Sequence, residues 1–224
     1  MKHIVIFDLD GTLLNTIDDL GAATNFALRE CSYPEHNLAS YPMFVGNGVS
    51  RLIERALPED ERNPENVLRL REKFTEYYDV HCADLTQPYP GIKEMLHTLQ
   101  EMGVRMAVAS NKYQEAVEKL INNFFPEIEW SAIEGQKEGV PVKPDPSIVF
   151  EILAKSPARK SKVLYVGDSG VDMETARRAC VDSAGVTWGF RPVKELRDYH
   201  ADNIVNSPEE IITIVKRPGL ELDS

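Results

Sequence analysis

The chain has 224 residues, 42% of them hydrophobic, and a formal net charge of −11 at pH 7. That length buries a full core as one large domain or two modest ones. The acidic balance argues against a sequence-independent grip on nucleic acid or anionic membrane, since both need clustered Lys and Arg.

Three scattered cysteines, Cys31, Cys82 and Cys180, form no C-x-x-C pair, so core thiols in a reducing cytoplasm are expected rather than a disulfide framework or a zinc knot. At the N-terminus only Lys2 and His3 precede an apolar run that meets Asp8 after four residues, too short and too soon acidic for a signal peptide. No stretch approaches the roughly 20 apolar residues of a membrane span. A cytoplasmic location follows as the expectation.

In chain order, the first element is the apolar run HIVIFD (3–8), read as a buried parallel strand that ends on an acid and continues as Leu9-Asp10-Gly11-Thr12. Side chains two apart on extended backbone share a face, which makes Asp8 and Asp10 neighbours, and Gly11 permits a sharp turn. Residues 16–83 then carry three apolar stripes at helical spacing and no strand. Ile17 to Cys31, Val49 to Leu57 and Val67 to Tyr78 are the three helices of an all-helical insert. Tyr77 and Tyr78 are expected to pack in it. The stiff segment Gln87-Pro88-Tyr89-Pro90-Gly91 returns the chain to the core.

From residue 90 onward strand and helix alternate. A helix over 92–102 ends at Gly103, and strands are expected at 104–110, 129–134, 162–168 and 182–188. Asp145-Pro146 opens one helix, and Ser207-Pro208-Glu209-Glu210 reads as a capping box opening another. The fold class is therefore α/β, a Rossmann-like, doubly wound parallel sheet of about five strands, with the helical insert placed just after the first strand. The division is a core of residues 1–15 and 84–224 and an insert of 16–83. The tail at 218–224 is expected to fray.

In such sheets ligands bind beyond the carboxyl ends of the strands. Asp8, Ser110 and Asp168 each close a strand run, and Asp172 follows at a helix start. Carboxylates gathered at one edge resist joint ionisation unless a cation lies among them, which suits Mg²⁺ with a phosphate as co-ligand. Ser110 and Asn111 offer hydrogen bonds to phosphate oxygens, and Lys143, just before Pro144, offers a fixed positive charge. The plainer readings are helix capping for Ser110 and dipole compensation for Asp168 and Asp172.

DLDGT at 8–12, SN at 110–111, Lys143 in a KPDP context and GDSGVD at 167–172 match, in order, the four motifs of the haloacid dehalogenase-like phosphatases, which the chain resembles over nearly its whole length. The resemblance implies that Asp8 is the nucleophile that forms an aspartyl-phosphate and that Asp10 is the general acid and base. It implies Mg²⁺ held by the Asp8 side chain, the Asp10 carbonyl and Asp168, with Asp172 supporting its waters. The insert resembles the family's cap, which closes over the site and reads the leaving group. Residues 44–57 resemble the cap segment of phosphoglycolate phosphatases, which implies that the turn Gly46-Asn47-Gly48 faces the site, with Arg51 or Arg55 as possible helpers.

The expected substrate is thus a small-molecule phosphomonoester, 2-phosphoglycolate first. A pyrophosphatase and a sugar-phosphate phosphatase or phosphoglucomutase are the alternatives within the superfamily. A phospho-aspartate signalling module is the non-enzymatic one. No nucleic-acid or membrane partner is expected, and the chain is a monomer or homodimer.

Overall fold

Parallel strands buried on both faces account for the apolar runs. A computed structural model describes residues 1–217; the tail at 218–224 lies outside the described residues. Strand β1 (Ile4–Phe7) leads through the acidic loop to the two-residue strand β2 (Leu14–Asn15), then to helices α1 (Ile17–Glu30), α2 (Val49–Ala56) and α3 (Pro64–His81). The return strand β3 (Gln87–Pro88) pairs antiparallel with β2. The rest alternates: α4 (Ile92–Glu101), β4 (Arg105–Tyr113), α5 (Gln114–Phe124), β5 (Trp130–Gln136), α6 (Ser147–Lys155), β6 (Val163–Gly167), α7 (Gly170–Ala179), β7 (Asp182–Val186), α8 (Val193–Asp198), β8 (Asn203–Val205) and α9 (Pro208–Lys216).

The main sheet has six strands in the order β5-β4-β1-β6-β7-β8, all parallel. β1 therefore sits between β4 and β6, which brings the loops after all three to one edge. Alternate residues of β1 enter different cores: Val5 and Phe7 join the large cluster that runs on into the helical segment, whereas Ile4 and Ile6 pack with Val149, Ile152 and Tyr165. Helices on both faces are what continuous apolar strands require.

Four expectations need correction. The sheet has a sixth strand, β8, whose three residues are too few to carry a periodic signal. β4 runs on past Ser110 to Tyr113, with a register irregularity against β5 between Ala109 and Tyr113. The capping box at Ser207 does not form: the Glu210 amide bonds the Ser207 carbonyl at 3.2 Å instead of its hydroxyl, and the Glu210 carboxylate accepts from the Asn206 amide at 3.2 Å. The core-thiol reading holds for Cys82, but Cys180 is exposed, at the left-handed residue that ends α7.

Between Ile17 and His81 the described elements are all helical. α1 and α3 face each other through Leu20, Ala27, Leu28, Leu70, Phe74 and Tyr78, all buried. Asn63 caps α3 by accepting from the Asn66 amide at 2.9 Å, and Pro64 takes the first helical position.

Asp19 on α1 fastens this helical segment to the returning chain. Its buried carboxylate accepts from the amides of Leu85 (3.0 Å) and Thr86 (2.8 Å) and from the Thr86 hydroxyl (2.7 Å). Asp19→Ala leaves the Thr86 amide and hydroxyl buried and unpaired. The expected loss is about 2–3 kcal/mol of unfolding free energy, read as a lower urea midpoint at unchanged slope. A midpoint equal to that of the wild type refutes the fastening role.

Candidate active site

The strand order alone brings Asp8, which follows β1, beside the end of β6, where the Asp8 amide donates to the Val166 carbonyl at 2.8 Å. Asp168 follows β6, and Asp172 lies in the first turn of α7. Each of Asp8, Asp168 and Asp172 places a carboxylate oxygen within 4.8 Å of the other two, and all three are buried. Gly11 permits this crowding. It adopts φ +83°, and a Cβ there would lie 2.4 Å from an Asp168 oxygen.

One cation enters the cluster. The Lys143 ammonium, with 2% of its side chain exposed, donates to Asp8 Oδ1 at 2.8 Å, to Asp172 Oδ1 at 2.8 Å and to the Ala109 carbonyl at 2.9 Å. Asn111 holds the lysine in place, accepting from the Lys143 amide at 2.8 Å and donating to the Lys143 carbonyl at 3.1 Å. Asp172 is fixed by the Ser169 hydroxyl at 2.6 Å and amide at 3.1 Å, and Asp168 by the Phe190 amide at 2.6 Å. Asp8, Asp168, Asp172 and Lys143 thus meet at this edge, with Asn111 as a direct support. Ser110, also buried, stands at the same edge and accepts from the Lys112 amide at 3.2 Å.

Three carboxylates against one ammonium leave excess negative charge in a buried site. Burial, and then repulsion from Asp172, pushes the Asp8 carboxyl up from 3.8 to about 7 despite Lys143 beside it. Burial followed by repulsion from Asp172 and Asp8 pushes Asp168 up as well. Burial opposes the charge on Lys143, yet Asp172 and Asp8 outweigh it and hold the ammonium well above its usual range. The donor set is all oxygen and under-compensated, so its chemistry fits a hard divalent cation.

Asp10 points elsewhere. Its carboxylate is not one of the three in the cluster; it accepts from the Thr16 hydroxyl at 2.6 Å and lies 3.1 Å from the Lys112 ammonium. Lys112 also donates to the Tyr78 hydroxyl on α3, at 2.8 Å. Asp8, Asp10, Ser110, Asn111, Lys112 and Tyr78 line a cavity of about 40 Å³ roofed by Leu20, Val45, Val49, Leu52 and Phe74. Such a space holds roughly three water-sized groups.

Gly46 and Gly48 line this cavity, and the Gly46 carbonyl accepts from Asn111 Nδ2 at 3.2 Å, which joins the turn to the core. Asn47 is turned away: its side chain accepts from Arg55 at 2.7 Å. Arg55 also donates to the Phe44 carbonyl at 2.9 Å, so it shapes the turn rather than meeting a ligand. Arg51 pairs with Glu54 at the surface, 64% exposed. Sequence reasoning gave Lys112 no role of its own and treated Tyr78 as packing alone. The available signal was a lysine only two residues past Ser110, at the end of an otherwise apolar strand.

The family model for haloacid dehalogenase-like hydrolases matches residues 5–186. A phosphoglycolate phosphatase of Mannheimia succiniciproducens is 31% identical over 218 residues, 95% of this chain and 97% of that one. The phosphoglycolate phosphatase of Cereibacter sphaeroides is 36% identical over 200 residues, 86% of this chain and 89% of its own. A crystal structure of a proposed phosphoglycolate phosphatase from Lactobacillus delbrueckii subsp. bulgaricus superposes with a TM-score of 0.90 at 33% identity, covering 96% of this chain and 99% of that one. Among the described residues no helix is long and apolar enough to cross a membrane. The chain therefore belongs to the haloacid dehalogenase-like hydrolases, in their phosphoglycolate phosphatase-like subgroup, and is a hydrolase of phosphoric monoesters.

Proposed function

We propose that the protein is a Mg²⁺-dependent phosphatase of a small phosphomonoester, 2-phosphoglycolate, which it splits to glycolate and inorganic phosphate in the cytoplasm. The observation that carries this reading is the Lys143 ammonium bridging Asp8 and Asp172 at 2.8 Å each, with Asp168 beside them and Asp10 at the same cavity. In the first step an Asp8 oxygen attacks phosphorus and the ester bond breaks. Asp10 gives its proton to the departing alkoxide oxygen. In the second step Asp10 takes a proton from water as that water attacks the phosphorus of the aspartyl-phosphate, which releases phosphate and restores Asp8. Ser110 and Asn111 stand where the phosphoryl oxygens arrive and the Lys143 charge neutralises them, so that both displacements proceed in line.

Asp8, Asp168 and the Asp10 carbonyl are the residues that would hold Mg²⁺, with Asp172 supporting its waters, and the ion would supply charge compensation for the phosphoryl oxygens. The proposed division is the catalytic core of residues 1–15 and 84–224 and the cap of residues 16–83. The cap roofs the cavity with apolar side chains and keeps water from the phosphorylated aspartate until the leaving group has gone. The small roofed space and the names of the relatives at 31% and 36% identity support a leaving group of a few heavy atoms over a sugar ring.

Steady-state phosphate release tests the reading on a panel holding 2-phosphoglycolate, pyrophosphate, glucose 1-phosphate and β-glucose 1,6-bisphosphate. With Mg²⁺, 2-phosphoglycolate is expected to give the highest kcat/KM by at least about tenfold, and a chelator is expected to remove turnover. Preference for pyrophosphate or a hexose phosphate overturns the substrate. A single stoichiometric phosphorylation without turnover overturns the enzymatic role itself.

A further inference from the structure

The chemistry proposed above leaves Lys112 without a task. Its side chain is only 4% exposed, yet it meets one carboxylate, Asp10 at 3.1 Å, and one hydroxyl, that of Tyr78 at 2.8 Å. A buried ammonium carries three donors and is destabilised when they lack partners. Lys112 thus keeps a donor for whatever enters the cavity it lines, and it is the single cationic side chain among that cavity's described lining residues. The neighbouring cations are engaged elsewhere: Lys143 by Asp8 and Asp172, Arg55 by the Phe44 carbonyl and Asn47, and Arg191 by the Val45 carbonyl at 2.8 Å.

The geometry points to Lys112, oriented by Tyr78, as the subsite for an anionic group on the leaving half of the substrate, a carboxylate one carbon away from the ester oxygen. This inference deepens the proposed function and rests on it. For Asp10 to protonate the ester oxygen, that oxygen must lie within hydrogen-bond distance of the Asp10 carboxylate. A carboxylate carbon two bonds from the same oxygen then falls beside the ammonium that stands 3.1 Å from Asp10. The roof offers it no competing charge, because Leu20, Val45, Val49, Leu52 and Phe74 are apolar. A neutral leaving group fills the same space but leaves the Lys112 donor without a partner, and this disfavours the wrong substrate as well as favouring the right one.

Tyr78 belongs to α3 and Lys112 to β4, so the subsite is assembled from cap and core together. The phenol keeps the long lysine side chain in one orientation, with the ammonium also 4.6 Å from the centre of the Tyr78 ring. A carboxylate bound there adds a third contact across the same junction.

The test compares kcat/KM for 2-phosphoglycolate and for ethyl phosphate, its counterpart without the carboxylate, in wild type, Lys112→Met, Lys112→Arg and Tyr78→Phe. Any effect transmitted through Asp10 acts on both esters and cancels in their ratio. The wild type is expected to prefer the carboxylate ester. Lys112→Met is expected to reduce that preference by about 10- to 100-fold, mainly through KM for 2-phosphoglycolate, since loss of a hydrogen bond to a charged group is of that size. Lys112→Arg is expected to restore part of it, and Tyr78→Phe to reduce it about threefold.

A preference that survives intact in Lys112→Met overturns the subsite alone. A wild type that turns over both esters but is indifferent to the carboxylate overturns the subsite and the proposed substrate together. Where Lys112→Met is too unstable to purify, Tyr78→Phe decides by the same ratio, and an unchanged ratio there overturns the subsite.

Discussion

Asp8→Asn is expected to abolish phosphate release, by at least about 10⁴-fold in kcat, while leaving the fold in place. The amide is nearly isosteric with the carboxylate, and its oxygen still accepts from Lys143, so the contact at 2.8 Å survives. What disappears is the nucleophile: an uncharged amide oxygen does not displace an alkoxide from phosphorus at a useful rate, and the route through a phosphorylated side chain closes. Removing a member of a catalytic set that acts as a unit commonly costs four or more orders of magnitude. Intact mass after quenching with substrate supplies a second readout, with a transient gain of one phosphoryl group in the wild type and none in the variant. Turnover above about 1% of wild type in Asp8→Asn would falsify the assignment of the nucleophile.

The core half of this site was legible because its physics is local. A strand buried on both faces reads as an unbroken apolar run, and a polar residue ending three such runs is conspicuous. Asp8, Asp168 and, through β4, Ser110 and Asn111 were found this way, and the parallel order β4-β1-β6 then brings their ends together. Lys143 came from its proline-flanked setting and its place in the ordered motifs, and its bridging position between two acids is a tertiary fact with no counterpart in the spacing. β8 escaped notice because three residues, Asn203–Val205, cannot display a period. Lys112 and Tyr78 escaped for a different reason. Their contact joins positions 34 apart in the chain, from α3 to β4, and nothing in either segment alone marks the side chain that will reach across. Arg55 illustrates the converse. Four residues from Arg51 on the same helix, it shares the pattern of a solvated face, yet it turns inward to hold the Phe44 carbonyl and the Asn47 side chain.

The same charge imbalance gives the metal-free protein an unusual pH dependence. Asp8 has its carboxyl raised from 3.8 to about 7, by burial first and repulsion from Asp172 second, so between those limits the folded state binds more protons than the unfolded chain. Stability from this group is therefore fully present below pH 3.8 and is lost as the pH rises through about 7. Raising a carboxyl from 3.8 to about 7 amounts in full to roughly 4 kcal/mol, of which about a third falls between pH 6 and pH 8. Asp168 is shifted in the same direction, while Lys143, held well above 10.5, stays charged throughout the interval. In chelator, urea unfolding is thus expected to give a lower free energy at pH 8 than at pH 6. Saturating Mg²⁺ binds the ionised carboxylates and so stabilises the protein more at pH 8 than at pH 6, which flattens the slope. Asp8→Asn supplies the control, because it removes the titrating group and with it Asp8's share of the difference between the two pH values, on the order of 1 kcal/mol. A metal-free wild type whose stability is level or rises from pH 6 to pH 8, or a slope that Asp8→Asn leaves unchanged, contradicts the view that excess buried carboxylate is what prepares this edge of the sheet for a divalent cation.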